Sequence, residues 1–357
     1  MDHFMQALVL DAFGKPLVLR EVPNPTIKPN EVLVQVGACG VGLTVVNLLE
    51  TVGRVKRYPL IPGHEIAGTI IEVGSLVKSV KPGDRVTNHF YLTCGQCRYC
   101  RSGQETLCSS NLGNIGQACD GGYAQYVSLP ERNVIAIPDG VSDVDAAVAS
   151  DAIATPYHAC VKEAKIKPGD AVMVIGAAGG VGIHMIQMAR LCGAKVIAVD
   201  VGADKLNFIK EALGSQGPDY LIDAALASIS QQILELTHGK GVEAVIDVVA
   251  SKNTLEQAVA SLAVRGRLVI IGNHPQSVYK ENPSFLVHPG EFLARGLEIH
   301  ASRYVTLSEI ERTLELVRDG RIKSIVTEVV PLKGIPELHQ KIRHGKTLGR
   351  VAMSMGL

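Results

Sequence analysis

The chain has 357 residues, of which 46% are hydrophobic and 20% charged, a composition typical of a globular protein long enough for two domains. Lys plus Arg equal Asp plus Glu at 35 each, and only 4% of residues are aromatic, so we expect no nucleic-acid partner. The chain opens without a signal-peptide core, and glycines interrupt its longest uncharged stretch, at 171–189. We therefore expect a cytoplasmic protein with no membrane partner.

The chain has two parts with different patterns of predicted secondary structure. The first part favours short strands, with apolar or alternating runs at 6–10, 32–36 and 68–73. After about residue 152 strands alternate with helices. The strands are predicted at 172–175, 196–199, 244–248 and 268–271, and the helices at 181–191 and 255–262. A helix at 307–319 and a strand at 349–353 end the chain. We therefore predict an α/β protein, β-rich at first, with a doubly wound parallel sheet after it.

Four of the eight cysteines lie close together in a segment rich in Gly, Ser and Arg. They are Cys94, Cys97, Cys100 and Cys108. Four thiolates close a tetrahedral zinc shell and leave no open position, which marks a structural site. Two further cysteines in register argue against a simple redox pair, although an iron–sulfur cluster remains a competitor. The sequence thus predicts one structural zinc in the lobe 94–108.

A glycine-rich turn follows the apolar run at 172–175. It contains Gly176, Gly179, Gly180, Val181 and Gly182. Glycines let the backbone turn tightly and approach a pyrophosphate, whose charge the amides of a helix N-terminus meet.

An acidic residue, Asp200, ends the next strand. Its carboxylate is placed to accept hydrogen bonds from ribose hydroxyls and to repel a 2′-phosphate. We therefore predict an NAD site in preference to NADP, with Lys205 nearby. An ordinary strand–turn–helix with a surface Asp is the alternative.

The cysteine cluster, the glycine turn and the Gly-His-Glu segment at 63–65 together resemble the zinc-containing alcohol dehydrogenases of the medium-chain dehydrogenase/reductase superfamily, over nearly the whole chain. The stretches IGNHPQSVY and HASR also resemble archaeal acryloyl-CoA reductases of that superfamily. The resemblance implies a GroES-like catalytic domain at 1–152, a Rossmann NAD-binding domain at 153–302, and a segment at 303–357 that rejoins the first domain. It also implies a homodimer or homotetramer.

The resemblance implies a catalytic metal site as well, and here the chain departs from the family pattern. His64 and Glu65 match, and Asp151 matches the third ligand of members that use Asp. Gly42 stands where the family has a ligand Cys. Three possibilities stay open: a metal held by His64 and Asp151, with or without Glu65; recruitment of Cys39; or no metal.

Other residues receive roles from the same resemblance. Thr44 matches a hydroxyl that passes a proton between substrate and cofactor ribose, and a Thr capping a local turn is the alternative. Asn47 replaces a His that completes this relay, and Val45 replaces the Asp that orients the ligand His. Arg350 resembles the Arg that pairs with the cofactor pyrophosphate, and Asn273 is a further cofactor candidate.

These residues predict an NAD-dependent oxidoreductase that interconverts an alcohol and an aldehyde or ketone by hydride transfer. A metal at His64 and Asp151 would polarise the oxygen of a small-molecule substrate, and Thr44 would relay the proton. One alternative is a reductase of activated C=C bonds, such as those of enones or enoyl thioesters, that needs no catalytic metal. A second is a non-catalytic NAD-binding protein on the same fold.

Overall fold

A computed structural model of the protein describes residues 3–273, 275 and 279–356 and divides into two units. Unit 1 comprises Met1–Ala154, Val305–Gly320 and Val326–Leu357, and unit 2 comprises Thr155–Tyr304 and Arg321–Ile325. Within the described part of the chain, every helix is too short or too polar to cross a membrane.

Unit 1 is β-rich. Its strands are β1 (Phe4–Val9), β2 (Val18–Pro23), β3 (Glu31–Val41), β4 (Glu65–Val73), β5 (Arg85–Asn88), β6 (Tyr126–Pro130), β7 (Val134–Ala136), β14 (Val326–Val330) and β15 (Arg350–Ser354). β1 and β2 form an antiparallel pair, and the others form one sheet of order β14-β15-β3-β4-β5-β7, with β6 also paired to β3. The central strand β3 is buried along most of its length, and β4 and β15 flank it.

Helices cover part of this sheet. They are α1 (Leu43–Glu50), α2 (Arg98–Arg101), α3 (Asp143–Val148), α10 (Leu307–Arg318) and α11 (Ile335–Arg343). A π-helical segment, Ala149–Ile153, continues from α3. The predicted helix at 307–319 corresponds to α10, which begins with a capping box between Thr306 and Glu309.

Unit 2 contains a six-stranded parallel sheet of order β10-β9-β8-β11-β12-β13. Its strands are β8 (Ala171–Ile175), β9 (Lys195–Asp200), β10 (Tyr220–Asp223), β11 (Val242–Asp247), β12 (Leu262–Ile270) and β13 (Glu298–Ala301). Its helices are α4 (Ala154–His158), which begins on the last residue of unit 1, α5 (Gly182–Leu191), α6 (Ala203–Leu213), α7 (Ile229–Leu236), α8 (Lys252–Ser261) and α9 (Pro289–Arg295). A π-helical segment, Ala159–Glu163, follows α4.

The parallel sheet buries the β-branched runs that predicted it. Val172, Val174, Val196 and Val199 are all fully buried, as expected of strands covered on both faces. The predicted helix at 255–262 starts earlier, because Ser251 and Thr254 form a capping box, and it ends before Leu262, which opens β12. The predicted α/β class is confirmed.

Candidate functional site

The cysteine lobe brings four sulfurs together in unit 1. Four of the Sγ–Sγ separations are 4.0 Å for Cys94–Cys100, 3.6 Å for Cys97–Cys100, 3.9 Å for Cys97–Cys108 and 3.5 Å for Cys94–Cys108. A Zn–S bond of about 2.3 Å places tetrahedral sulfurs about 3.8 Å apart. The four cysteines therefore fit a closed zinc shell.

Backbone amides in the lobe favour the ionised sulfurs that zinc binds. The Cys97 amide donates to Cys94 Sγ at 3.4 Å, and the Cys94 amide donates to Cys108 Sγ at 3.3 Å. Hydrogen bonds from the backbone of Cys100 and Ser109 lower the pKa of Cys97 to about 5. Burial and the contact with the Cys97 sulfur instead raise the pKa of Cys100 to about 12, so the backbone favours the thiolate form at only part of the lobe.

A second cluster in unit 1 contains His64, Glu65 and Asp151, whose potential ligand atoms all lie within 4.8 Å of one another. His64 Nε2 is 3.3 Å from Asp151 Oδ2 and 3.7 Å from Glu65 Oε1. Glu65 is the first residue of β4 and His64 immediately precedes it, whereas Asp151 lies in the π-helical segment. Such segments widen a helix locally and often occur at functional sites.

The His64–Asp151 geometry suits a metal. Zinc bonds to N and O of about 2.0–2.1 Å place tetrahedral ligand atoms about 3.3–3.4 Å apart, which matches the 3.3 Å separation. Side-chain exposures of 7% for His64 and 13% for Asp151 leave the pair partly accessible. The N/O donor set therefore fits a divalent cation such as zinc.

Arg350 lies against this cluster rather than at the surface. Its guanidinium forms an ion pair with Glu65, whose side chain is fully buried. Burial lowers the pKa of Arg350 to about 10, so the guanidinium stays charged at neutral pH. The cofactor-pyrophosphate role of Arg350 remains a prediction, whereas its pairing with Glu65 is a feature that the sequence did not reveal.

Gly42 precedes α1 in an extended conformation, with φ −142°. A side chain there would therefore meet no backbone strain, but its Cβ would lie 2.6 Å from Arg350 Cζ. A Cys side chain at this position would thus require the flexible end of Arg350 to move. Cys39 is fully buried, and burial raises its pKa, so recruitment of this thiol to the metal cluster is not favoured.

The two relay positions lie on α1. Thr44 is exposed in the first turn. The N-cap residue of α1 is Gly42, and no side chain forms a capping hydrogen bond at that position. Asn47 Oδ1 accepts a hydrogen bond from Arg343 Nη1 at 3.1 Å, so it has a structural partner.

His64 is held in position by three residues that the sequence analysis did not identify. Asn88, at the end of β5, donates from Nδ2 to His64 O at 3.0 Å and accepts from the Ile66 amide at 2.8 Å. Phe90 contacts the imidazole edge-on, with ring centroids 4.6 Å apart. Tyr123 packs under Gly63, whose φ of 95° and short Cβ distances require glycine. Of the three, only Asn88 had a signal in the sequence, namely a polar residue at the end of a strand.

In unit 2 the glycine turn connects β8 to α5. Gly176 has φ 78°, and a Cβ on Gly182 would lie 2.8 Å from Ala177 Cα, so both positions need glycine. The remaining predicted members, Gly179, Gly180 and Val181, complete the turn, and α5 begins at Gly182. The amides at this helix start are available for an anionic group.

Asp200 ends β9 and accepts three hydrogen bonds. The donors are the Ala178 amide at 2.9 Å, the Val201 amide at 2.8 Å and Lys205 Nζ at 3.0 Å. A carboxylate offers about four acceptor positions, so one remains on Oδ2 for a ligand. Asp200 therefore anchors the glycine turn as well as standing at the predicted ribose position.

His184, fully buried in α5, also holds the turn. Its Nε2 accepts from the Ile325 amide at 2.9 Å, so its Nδ1 carries the proton and donates to Gly180 O at 2.7 Å. Burial lowers the pKa of His184 to about 4, which keeps the ring neutral. Asn273 is exposed after β12, without a described role in this turn.

Comparisons with known proteins match both units. The model of the alcohol dehydrogenase GroES-like domain matches residues 28–139, and the zinc-binding dehydrogenase model matches residues 180–319. An alcohol dehydrogenase of Geobacillus stearothermophilus is 36% identical over 98% of this chain and 100% of its own length. An acryloyl-coenzyme A reductase of Sulfurisphaera tokodaii is 32% identical over 97% of this chain and 99% of its own.

Solved structures agree with the sequence relatives. The crystal structure of an NAD-dependent alcohol dehydrogenase, 29% identical, superposes with a TM-score of 0.88 and covers 99% of this chain and 100% of that one. The likeness therefore extends over nearly the full length of the chain. This chain belongs to the zinc-containing alcohol dehydrogenase family of the medium-chain dehydrogenase/reductase superfamily, and it is an oxidoreductase.

Proposed function

We propose that the protein is an NAD-dependent oxidoreductase that interconverts an alcohol and an aldehyde or ketone by hydride transfer. The observation that carries the proposal is the convergence of His64, Glu65 and Asp151 in a member of this family. The Geobacillus relative is named an alcohol dehydrogenase, and the solved neighbour an NAD-dependent one. The substrate is a small molecule.

Different residues of the chain have the metal-binding and the proton-transfer roles. His64 Nε2 and Asp151 Oδ2, 3.3 Å apart, would hold the catalytic metal. When bound, that metal supplies Lewis acidity toward a substrate oxygen. Thr44, exposed in the first turn of α1, would pass the proton between the substrate oxygen and the cofactor ribose. Asn47 stands where relatives have a His, and an Asn side chain cannot titrate. The proton relay of this protein therefore includes Thr44 but no histidine at position 47.

NAD binds through the glycine turn and Asp200. The amides at the start of α5 receive the pyrophosphate, and the open acceptor position on Asp200 Oδ2 receives a ribose hydroxyl. Lys205 stays paired with Asp200, while Arg350 and Asn273 remain candidate cofactor contacts. Asp200 repels a 2′-phosphate, so NAD is preferred to NADP.

A spectrophotometric NADH assay tests this function. Purified protein is offered alcohols, aldehydes, ketones, enones and an enoyl thioester, with and without a mild chelator. We expect alcohol and carbonyl turnover that the chelator abolishes while the zinc of the cysteine lobe is retained. His64→Ala should remove the activity, and His344→Ala, which changes an exposed histidine at the end of α11, should not.

The opposite results have a clear meaning. Turnover of enones or the thioester alone, indifferent to chelator and to His64→Ala, would replace this function by C=C reduction. No turnover of any substrate would leave the family fold without the proposed activity.

We also propose a homodimer or homotetramer in the cytoplasm. The edge strand β13 exposes Ile299, and α9 exposes Leu293 at 88%, so unit 2 presents both apolar side chains and a strand edge to a partner subunit. The thiols of the cysteine lobe keep their ligand role in a reducing compartment. Light scattering on the purified protein measures the assembly directly, and a monomer at micromolar concentration would contradict it.

A further inference from the structure

A short piece of the C-terminal segment is attached to helix α5 within unit 2. It comprises Arg321–Ile325, lies between α10 and β14 in the chain, and we call it the return segment. Gln187 Nε2 donates to Lys323 O at 2.9 Å, and the Lys323 amide donates to Gln187 Oε1 at 2.9 Å. The Ile325 amide donates to His184 Nε2 at 2.9 Å. Two side chains of α5 therefore hold the backbone of the return segment.

The buried His184 ring also contacts the glycine turn. Its Nδ1 donates to Gly180 O at 2.7 Å, whereas the preceding carbonyl, Gly179 O, accepts from the Ile183 amide at 3.0 Å in the ordinary helical manner. Because Nε2 accepts from the Ile325 amide, the single proton of the neutral ring stays on Nδ1. The return segment thus selects the tautomer that can hold the glycine turn.

The orientation of one peptide unit follows from this contact. A trans peptide is planar, so its C=O and its N–H point in opposite directions. Because Gly180 O is directed at the His184 ring inside α5, the Val181 N–H points away from the helix body, toward the space in front of its first turn. Amides at a helix start have no intrahelical acceptor and bind anions such as a pyrophosphate. The ring therefore sets the direction of an amide at the predicted pyrophosphate site.

We propose that His184 is a positioning residue for the cofactor pyrophosphate, and that it couples this site to the return segment at Ile325. The inference rests on the NAD site of the proposed function. His184 acts through the peptide unit between Gly180 and Val181 and not by contact with the cofactor. The coupling is reciprocal: if the Ile325 hydrogen bond strengthens cofactor binding, bound cofactor must stabilise that hydrogen bond by the same factor.

Two substitutions separate the two hydrogen bonds of the ring. The amide of Gln reaches the position of Nε2, so His184→Gln can still accept from the Ile325 amide but loses the donor to Gly180 O. The amide of Asn lies near the position of Nδ1, so His184→Asn can still donate to Gly180 O but leaves the Ile325 amide without its acceptor. The pair therefore tests the contact with the turn apart from the contact with the return segment.

The first measurement is the affinity of the full-length protein for NADH and for ADP-ribose, by fluorescence titration and calorimetry. A hydrogen bond to a charged group contributes about tenfold or more to affinity, and a misdirected amide loses part of this. We therefore expect His184→Gln to bind both ligands at least about fivefold more weakly than the wild type. His184→Asn should recover most of that loss.

The second measurement is hydrogen exchange in the return segment, with and without saturating NADH. In the wild type, NADH should slow exchange of the Ile325 amide. In His184→Gln and in His184→Asn the same amide should not respond to NADH, because each variant keeps only one of the two hydrogen bonds. A residue that only stabilised the fold would change the exchange rate without abolishing its response to the cofactor.

Gln187→Ala is the matched control. Gln187 is a buried residue of the same helix and binds the same return segment, through Lys323. This substitution removes two hydrogen bonds but leaves both contacts of His184 in place. Gln187→Ala should therefore melt at a lower temperature, while its NADH affinity stays near that of the wild type and its Ile325 amide still responds to NADH.

Three results would overturn the inference while NADH still binds the wild type. They are wild-type affinity in His184→Gln, an equal loss of affinity in Gln187→Ala, and an Ile325 amide of the wild type that does not respond to NADH. If His184→Gln fails to fold, the response of that amide in the wild type decides. The proposed function fails separately: a wild type that binds NADH but turns over no alcohol or carbonyl compound would refute that function and leave these affinity differences intact.

Discussion

Asn88 is expected to carry much of the rigidity of the metal cluster. Its side chain is fully buried and bridges the backbone on both sides of Glu65, through His64 O at 3.0 Å and the Ile66 amide at 2.8 Å. The Asn88→Ala substitution leaves both backbone groups without their hydrogen-bond partner. Each buried unpaired group costs about 1–3 kcal/mol, so the free energy of unfolding should fall by about 2–6 kcal/mol. That is a large fraction of the about 5–15 kcal/mol of a typical domain.

Thermal unfolding and steady-state kinetics measure the effect. In a domain of this size each kcal/mol lowers Tm by about 2–4 °C, so a loss of at least about 4 °C is expected. Asn133→Ala is the matched control: Asn133 is equally buried and donates two hydrogen bonds, to His89 O at 2.7 Å and Tyr91 O at 2.8 Å. Both variants should lose stability, but only Asn88→Ala should also lower kcat and metal retention.

The reasoning would be refuted in either of two ways. Asn88→Ala could melt within about 1 °C of wild type, which would mean that water or a shifted backbone replaces both bonds. Alternatively, Asn133→Ala could reduce kcat as strongly as Asn88→Ala. Loss of activity would then follow from general destabilisation and not from release of the segment that carries His64.

Three further outcomes are expected. Metal analysis of the wild type should find one zinc in the lobe, and Cys100→Ser should remove it and lower solubility without a selective change in kcat; iron and sulfide in the wild type would contradict the zinc assignment. Asp200→Ser should narrow the ratio of kcat/KM for NAD over NADP, because it removes a repelling carboxylate and frees Lys205 Nζ for a 2′-phosphate; an unchanged ratio would count against the assignment. His184 has a folded pKa of about 4 against an ordinary 6.5, so between these values the unfolded chain binds a proton that the folded chain excludes. Stability should fall by up to about 3 kcal/mol as pH drops through that window, and His184→Gln should flatten the slope in urea titrations at several pH values.

Features encoded within short segments were predictable from the sequence. The sulfurs of the lobe 94–108 and the glycine turn need only local spacing, because the residues that build each feature are neighbours along the chain. Buried parallel strands such as β8 and β9 were equally predictable, because strands that are buried on both faces consist of continuous apolar runs. The α/β class and the family resemblance rest on these local signals.

Helix α1 shows why other elements were missed. Its sequence, LTVVNLLE, contains adjacent β-branched valines, and no side chain forms a capping hydrogen bond at its start. Its stability depends on distant partners: Arg343 of α11 donates to Asn47 Oδ1 and pairs with Glu50. Local helix propensity does not reflect such long-range contacts. The sequence at 43–50 therefore does not by itself predict a helix.

Position 42 shows the same limitation at the site itself. Compared with the family pattern, Gly42 looks like the loss of a metal ligand, and Arg350 looks like a cofactor contact. The register of β4 and β15 on β3 brings the guanidinium to the space above Gly42 and into contact with Glu65. The two positions are therefore neighbours in space, and a side chain at 42 would require the flexible end of Arg350 to move. A glycine in place of a ligand consequently predicts an altered metal shell only when the residue that fills its space is known.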